Sequence, residues 1–157
     1  MDFYSIIKTI HIISATILFG TGIGIAFFFF LPHLRHQDVT ARLTSAQTTV
    51  TADFLFTLPA VIVQPLTGAW LVWKGGFDWA DYWLMITYLL YLVAGFCWVP
   101  VVIIQIRLKQ MLEVHANGVA IDQHVYDRLF RWWFILGWPA FGGLVVTFFL
   151  MVAKPTW

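Results

Sequence analysis

The stretch SIIKTIHIISATILFGTGIGIAFFFFL, residues 5–31, decides the fold. Lys8 and His11 are the only ionisable side chains in its 27 residues. At ~1.5 Å of rise per helical residue, such a run more than crosses a ~30 Å hydrocarbon core. The segment predicts a retained transmembrane helix over Ser5–Leu31, stopped by Pro32. A cleaved leader is not expected: Asp2 precedes Lys8, the apolar run is long, and no A-x-A site follows.

The rest of the chain repeats this pattern. Hydrophobic residues make up 61% and charged residues 11% of the 157, and mean hydropathy is +0.81. That lies outside the range of soluble globular proteins and implies one domain, residues 1–157, of a polytopic membrane protein. Asp38 is placed to cap a second helix that enters the membrane near Ala52, carries Pro59 and Pro65, and stops at Gly75-Gly76. Asp78 and Asp81 open a third, spanning about Trp83 to Ile106 with Pro100 inside. Asn117-Gly118 turns the chain, and Asp122 caps an amphipathic lead-in to a fourth span from Trp132 to Ala153. The fold class is all-α, a four-transmembrane-helix bundle.

Basic residues set the orientation. Arg35, Arg42, Arg107, Lys109, Arg128 and Arg131 lie in the first and third connections, against Lys8, Lys74 and Lys154 on the other side. By the positive-inside bias both termini face the periplasm of a bacterial inner membrane. A formal charge of +1 gives no argument for nucleic acid. Cys97 is the only cysteine, so neither a disulfide framework nor a thiolate cluster is expected.

Chemistry is sought first at His11, which lies inside the membrane, where an ionisable side chain needs a partner. Ala15, Leu18 and Gly22 follow it on one helical stripe, small enough in part to let a flat ligand approach. The competing reading is a histidine bonded to a neighbouring helix. On the second helix Asp53, Thr57, Gln64, Thr67 and Gly68 share a face, with Gln64 near mid-membrane and Asp53 near the hydrated boundary. On the third, Tyr88, Tyr91, Gly95, Trp98, Val102 and Gln105 do so. Both stripes turn inward, either to pack helices or to form a site. Trp132 and Trp133 read as interfacial anchors, and His33, His36, His115 and His124 as solvated. Gly20/Gly24 and Gly142/Gly143 suit close helix approach and a homo-oligomer.

The residues Lys8-Thr9-Ile10-His11, with Phe19-Gly20 and the aromatic run after them, resemble the first helix of the HemJ family. Those bacterial membrane proteins are implicated in oxidising protoporphyrinogen and associated with b-type haem. Thr87 and Cys97-Trp98 stand where that family has a lysine and a second histidine. Leu18-Phe19-Gly20-Thr21-Gly22 and Pro65-Leu66-Thr67-Gly68 look closer to a bacterial family of predicted four-helix integral membrane proteins (DUF2269-like), which implies the fold and no activity. The HemJ resemblance implies haem b with His11 as its metal ligand, Lys8 on a propionate, Ala15, Gly22 and Gln64 around the ring, and a redox or electron-transfer role with a quinone or porphyrin substrate. The alternative is a membrane subunit or assembly partner without cofactor.

Overall fold

The computed structural model describes residues 2–155. It holds α1 (Phe3–Leu34), α2 (Val39–Ala52), a π-helical turn (Asp53–Thr57), α3 (Leu58–Gly75), α4 (Tyr82–Ala116) and α5 (Gln123–Ala153). Because α2, the π turn and α3 run on without a break, four helical rods are long and apolar enough to cross a membrane. The described residues contain no strand.

The ends follow the sequence closely. Asp38 Oδ1 accepts from Ala41 N at 2.8 Å, and Asp122 Oδ1 from His124 N and Val125 N, satisfying helix-end donors. Gly76 closes α3 in the left-handed region at φ +68°, where an L side chain would be strained. Asp81 occupies the N-cap of α4 without a side-chain bond; Asp78 instead accepts from Ala80 N and shapes the preceding turn.

Prolines are where expectation and structure part. Pro32 was expected to end the first helix, yet α1 continues through Leu34. Proline lacks an N–H, so it leaves the carbonyl four residues earlier unpaired. For Pro32 that is Phe28, whose oxygen accepts from Ser45 Oγ of α2 at 2.6 Å. For Pro65 it is Val61, whose oxygen accepts from the Tyr91 hydroxyl of α4 at 2.5 Å. Each freed carbonyl becomes a tether to a neighbouring rod. Ahead of Pro59 the chain widens into the π turn, where Leu58 N bonds Asp53 O.

Packing is concentrated at the two ends of the bundle. At the end carrying the first and third connections, Phe29, Ala46, Leu108, Leu112, Tyr126, Phe130 and Trp133 form a buried cluster. At the other end Val72, Trp83, Leu84 and Leu150 do so. α5 packs mainly on α4, and α1 on α2 and α3, whereas α1 and α5 touch sparingly. Outward positions such as Phe28, Leu66, Phe96 and Val152 are apolar and exposed, as lipid-facing residues should be. His33, expected in water, is half-buried and stacked on Phe130 with ring centroids 3.7 Å apart. Gly143 packs within the chain against the Leu90 carbonyl, whereas Gly20, Gly24 and Gly142 have open space before them.

Tyr91→Phe should lower unfolding free energy in detergent by about 1–3 kcal/mol, the cost of orphaning a buried carbonyl. In a Pro65→Ala background the restored N–H pairs Val61 itself, so the same substitution should cost markedly less. Denaturation of all four proteins of this cycle measures that coupling.

Candidate functional site

Two polar clusters lie between the rods. The first is built on His11 of α1. Its Nδ1 is 2.8 Å from Thr67 Oγ1, and its Nε2 is 3.1 Å from Gln64 Nε2. The Thr67 hydroxyl donates to Val63 O at 2.7 Å, so it can only accept from His11. That assigns the proton to Nδ1 and leaves Nε2 accepting from the Gln64 amide. Gly68 makes room for this arrangement: a Cβ there would stand 3.2 Å from His11 Cε1. One turn further along α1, Ser14 Oγ donates to Ala60 O at 3.2 Å. These contacts knit α1 to α3.

Of the residues assigned to one site from the sequence, His11 and Gln64 are brought together. Ala15 is buried beside them on the stripe, Gly22 belongs to a separate central cavity, and Lys8 is exposed near the end of the helix. Both imidazole nitrogens of His11 are engaged. In this arrangement neither ring nitrogen is free, and an axial-ligand role would require Gln64 to release Nε2. Among the described residues no three His, Cys, Asp or Glu side chains converge on a common metal position.

The second cluster surrounds Asp53, at the start of the π turn. Expected near the hydrated boundary, Asp53 is only 3% exposed. A buried carboxylate in a membrane bundle must be met by donors. Trp98 Nε1 of α4 donates to its Oδ1 at 3.3 Å. The Gln105 amide nitrogen donates to Oδ2 at 2.6 Å, while its oxygen accepts from Trp133 Nε1 at 3.1 Å; the opposite amide orientation would set oxygen against oxygen. Trp133, expected as an interfacial anchor, is thus a buried part of this network. Thr57, 6% exposed, keeps a hydroxyl with no partner.

Asp53 and Thr57 form part of the wall of a central cavity of about 600 Å³, to which all four rods contribute. This is within the usual range for small-molecule sites. The lining from α3 and α4 is buried or half-buried, including Val61, Tyr91 and Gly95. Its exposed residues, among them Ile23, Phe27, Phe134 and Trp138, all belong to α1 and α5. The mouth therefore lies between those two helices and faces lipid. A stacked pair, Phe30 and Phe134 at 5.3 Å, separates the cavity from a polar cleft at the arginine-rich end.

Sequence reasoning placed Asp53, Thr57, Trp98 and Gln105 on inward stripes but centred the site on His11. The overlooked signal was that Asp53 is the only acidic residue between Asp38 and Asp78. No spacing rule marks Trp133 as different from Trp132.

The model of a family described as predicted integral membrane protein (DUF2269) matches residues 5–155. No curated protein and no solved structure matches the chain at a significant level.

Gly68→Val should push the imidazole off Gln64 and cost about 1–3 kcal/mol of stability, as overpacking does. Gly68→Ala should cost less, since helix propensity returns about 0.5–1 kcal/mol. Chemical denaturation in detergent gives both values.

Proposed function

We propose that this chain, which belongs to the DUF2269 family of predicted integral membrane proteins, binds a quinol-type lipid in its central cavity. The observation that carries the reading is a buried carboxylate, with an unpartnered hydroxyl one turn on, at the closed side of an otherwise apolar cavity that opens toward lipid. Asp53 has one N–H on each oxygen, leaving lone pairs for a further donor. A quinol hydroxyl supplies that donor, Thr57 can bond the same head, and the apolar walls accept an isoprenoid tail. A hydroxyl held on a carboxylate is placed for proton release, as a quinol-linked redox role requires.

The lining also discriminates. It contains no Lys, Arg or His and one Asp, so a ligand bearing carboxylates would meet repulsion and no counter-charge. That disfavours a porphyrin or haem in the cavity relative to a neutral quinol. A b-type haem on His11 is the second reading. The observation in its favour is the Nδ1 proton fixed on Thr67, which leaves Nε2 as the basic nitrogen. Gln64 would have to release that nitrogen first. A Soret band lost in His11→Ala would favour this reading over the first.

The orientation proposed with it places both termini in the periplasm of a bacterial inner membrane, from the Arg and Lys bias. Ala120→Cys should then be labelled by an impermeant thiol reagent only after the cytoplasmic face is opened; labelling in intact spheroplasts would reverse it.

For the cavity, quenching of the protein's tryptophan fluorescence by a short-chain quinol reports binding, since Trp98, Trp133 and Trp138 line it. Thr57→Val should weaken binding by up to about tenfold, the worth of one hydrogen bond. Asp53→Asn should weaken it more. Unchanged quinol affinity in both variants would exclude this site.

A further inference from the structure

The polar cleft beyond the Phe30–Phe134 pair has a separate chemistry. It measures about 760 Å³ and lies where α1 ends, α2 begins and α5 begins. Its polar lining is His33 and His36 from α1 and the loop after it, Arg42 from α2, and Gln123, Asp127 and Arg131 from α5. Two guanidinium cations thus face one carboxylate. Neither arginine is in an ion pair, since the salt bridge found among the described residues is Lys109 with Glu113. Asp127 is engaged by Gln123 Nε2 at 2.9 Å.

Two polar atoms of this cleft are buried without a partner: Arg42 Nε and His33 Nδ1. Buried donors and acceptors are normally met, so two unmet polar atoms in one cleft mark it as unusual. The Arg42 guanidinium lies 5.7 Å from the Tyr126 ring centroid, and His33 is stacked on Phe130, so both side chains are positioned by aromatic contacts. Position and orientation are therefore set without an anion present. Arginine forks match phosphate oxygens, and a basic recess between membrane helices near the interface is suited to an anionic headgroup. The hydrocarbon side of the cleft is formed by Phe30, Leu34 and Phe134, with Leu34 and Phe134 exposed. An acyl chain could leave the cleft along that side.

From this geometry we infer that the cleft is a phosphate-ester site, occupied by the headgroup of an anionic phospholipid. Arg42 and Arg131 hold the phosphate, and Asp127 excludes carboxylate-rich ligands. The inference is independent of what fills the central cavity.

Delipidated full-length protein in detergent tests it by native mass spectrometry. Short-chain phosphatidylglycerol, short-chain phosphatidylcholine and inorganic phosphate are titrated separately. Phosphatidylglycerol should bind in preference to phosphatidylcholine. Arg42→Gln with Arg131→Gln should weaken that binding by about 30-fold, from roughly a fivefold share per arginine at an anionic surface. Asp127→Asn should strengthen it, an effect of sign that a purely structural role would not produce. Arg131 is exposed, so Arg131→Gln alone keeps the test readable if Arg42→Gln reduces stability. Arg128→Gln, outside the cleft, is the control and should change nothing. Arginine-dependent binding of inorganic phosphate, without preference for phosphatidylglycerol, would assign the site to a soluble phosphate and overturn the lipid headgroup. Equal binding by wild type and the double variant, or an equal loss in Arg128→Gln, would overturn the phosphate site itself.

Discussion

Inside hydrocarbon, a polar group that loses its partner has no water to turn to, and this constraint organises the molecule. Pro32 and Pro65 each free a carbonyl within a span. Ser45 and Tyr91, from other rods, meet those two oxygens. The same rule governs Asp53, whose oxygens draw Trp98 and Gln105 of α4 inward, with Trp133 of α5 behind them. His11 meets it through Thr67 and Gln64. Directional bonds of this kind fix which faces of the apolar rods meet. Apolar packing alone would not, since lipid tails are as apolar as the side chains they replace.

These tethers account for the hollow middle. Aromatic and aliphatic residues fill both ends of the bundle, while in the middle α3 meets α4 through the Tyr91–Val61 bond and α1 and α5 touch sparingly. Small residues, Gly22, Gly95 and Gly137, line the space that results. The sparse α1–α5 contact becomes an opening toward lipid, and the π turn places Asp53 and Thr57 against the closed side. π turns often mark functional positions in helices, because the extra residue redirects side chains at a local cost in backbone hydrogen bonding.

The rods were legible in the sequence because hydropathy, Asp38, Asp122 and Gly76 act locally. The inward stripes were legible for the same reason, apart from Tyr88, which faces outward. What could not be read was the pairing between rods. Pro32 looks like a helix end until Ser45 is known to lie beside Phe28. Asp53 looks hydrated until Trp98, Gln105 and Trp133 are seen to converge on it from two other helices. His11 attracted attention as the sole histidine within a span, and the structure gives it partners on both nitrogens. The family match covers nearly the whole chain and agrees with the membrane architecture, which is the level at which composition alone was decisive.

The central claim is that the cavity draws one lipophilic molecule out of the bilayer. A photo-crosslinking amino acid at Val61, in the cavity wall, and another at Ile62, its lipid-facing neighbour, test it directly. After irradiation in native membranes, mass spectrometry of the adducts should find a quinol-type lipid at residue 61 and ordinary phospholipids at residue 62. The same phospholipid mixture at both positions would contradict the claim.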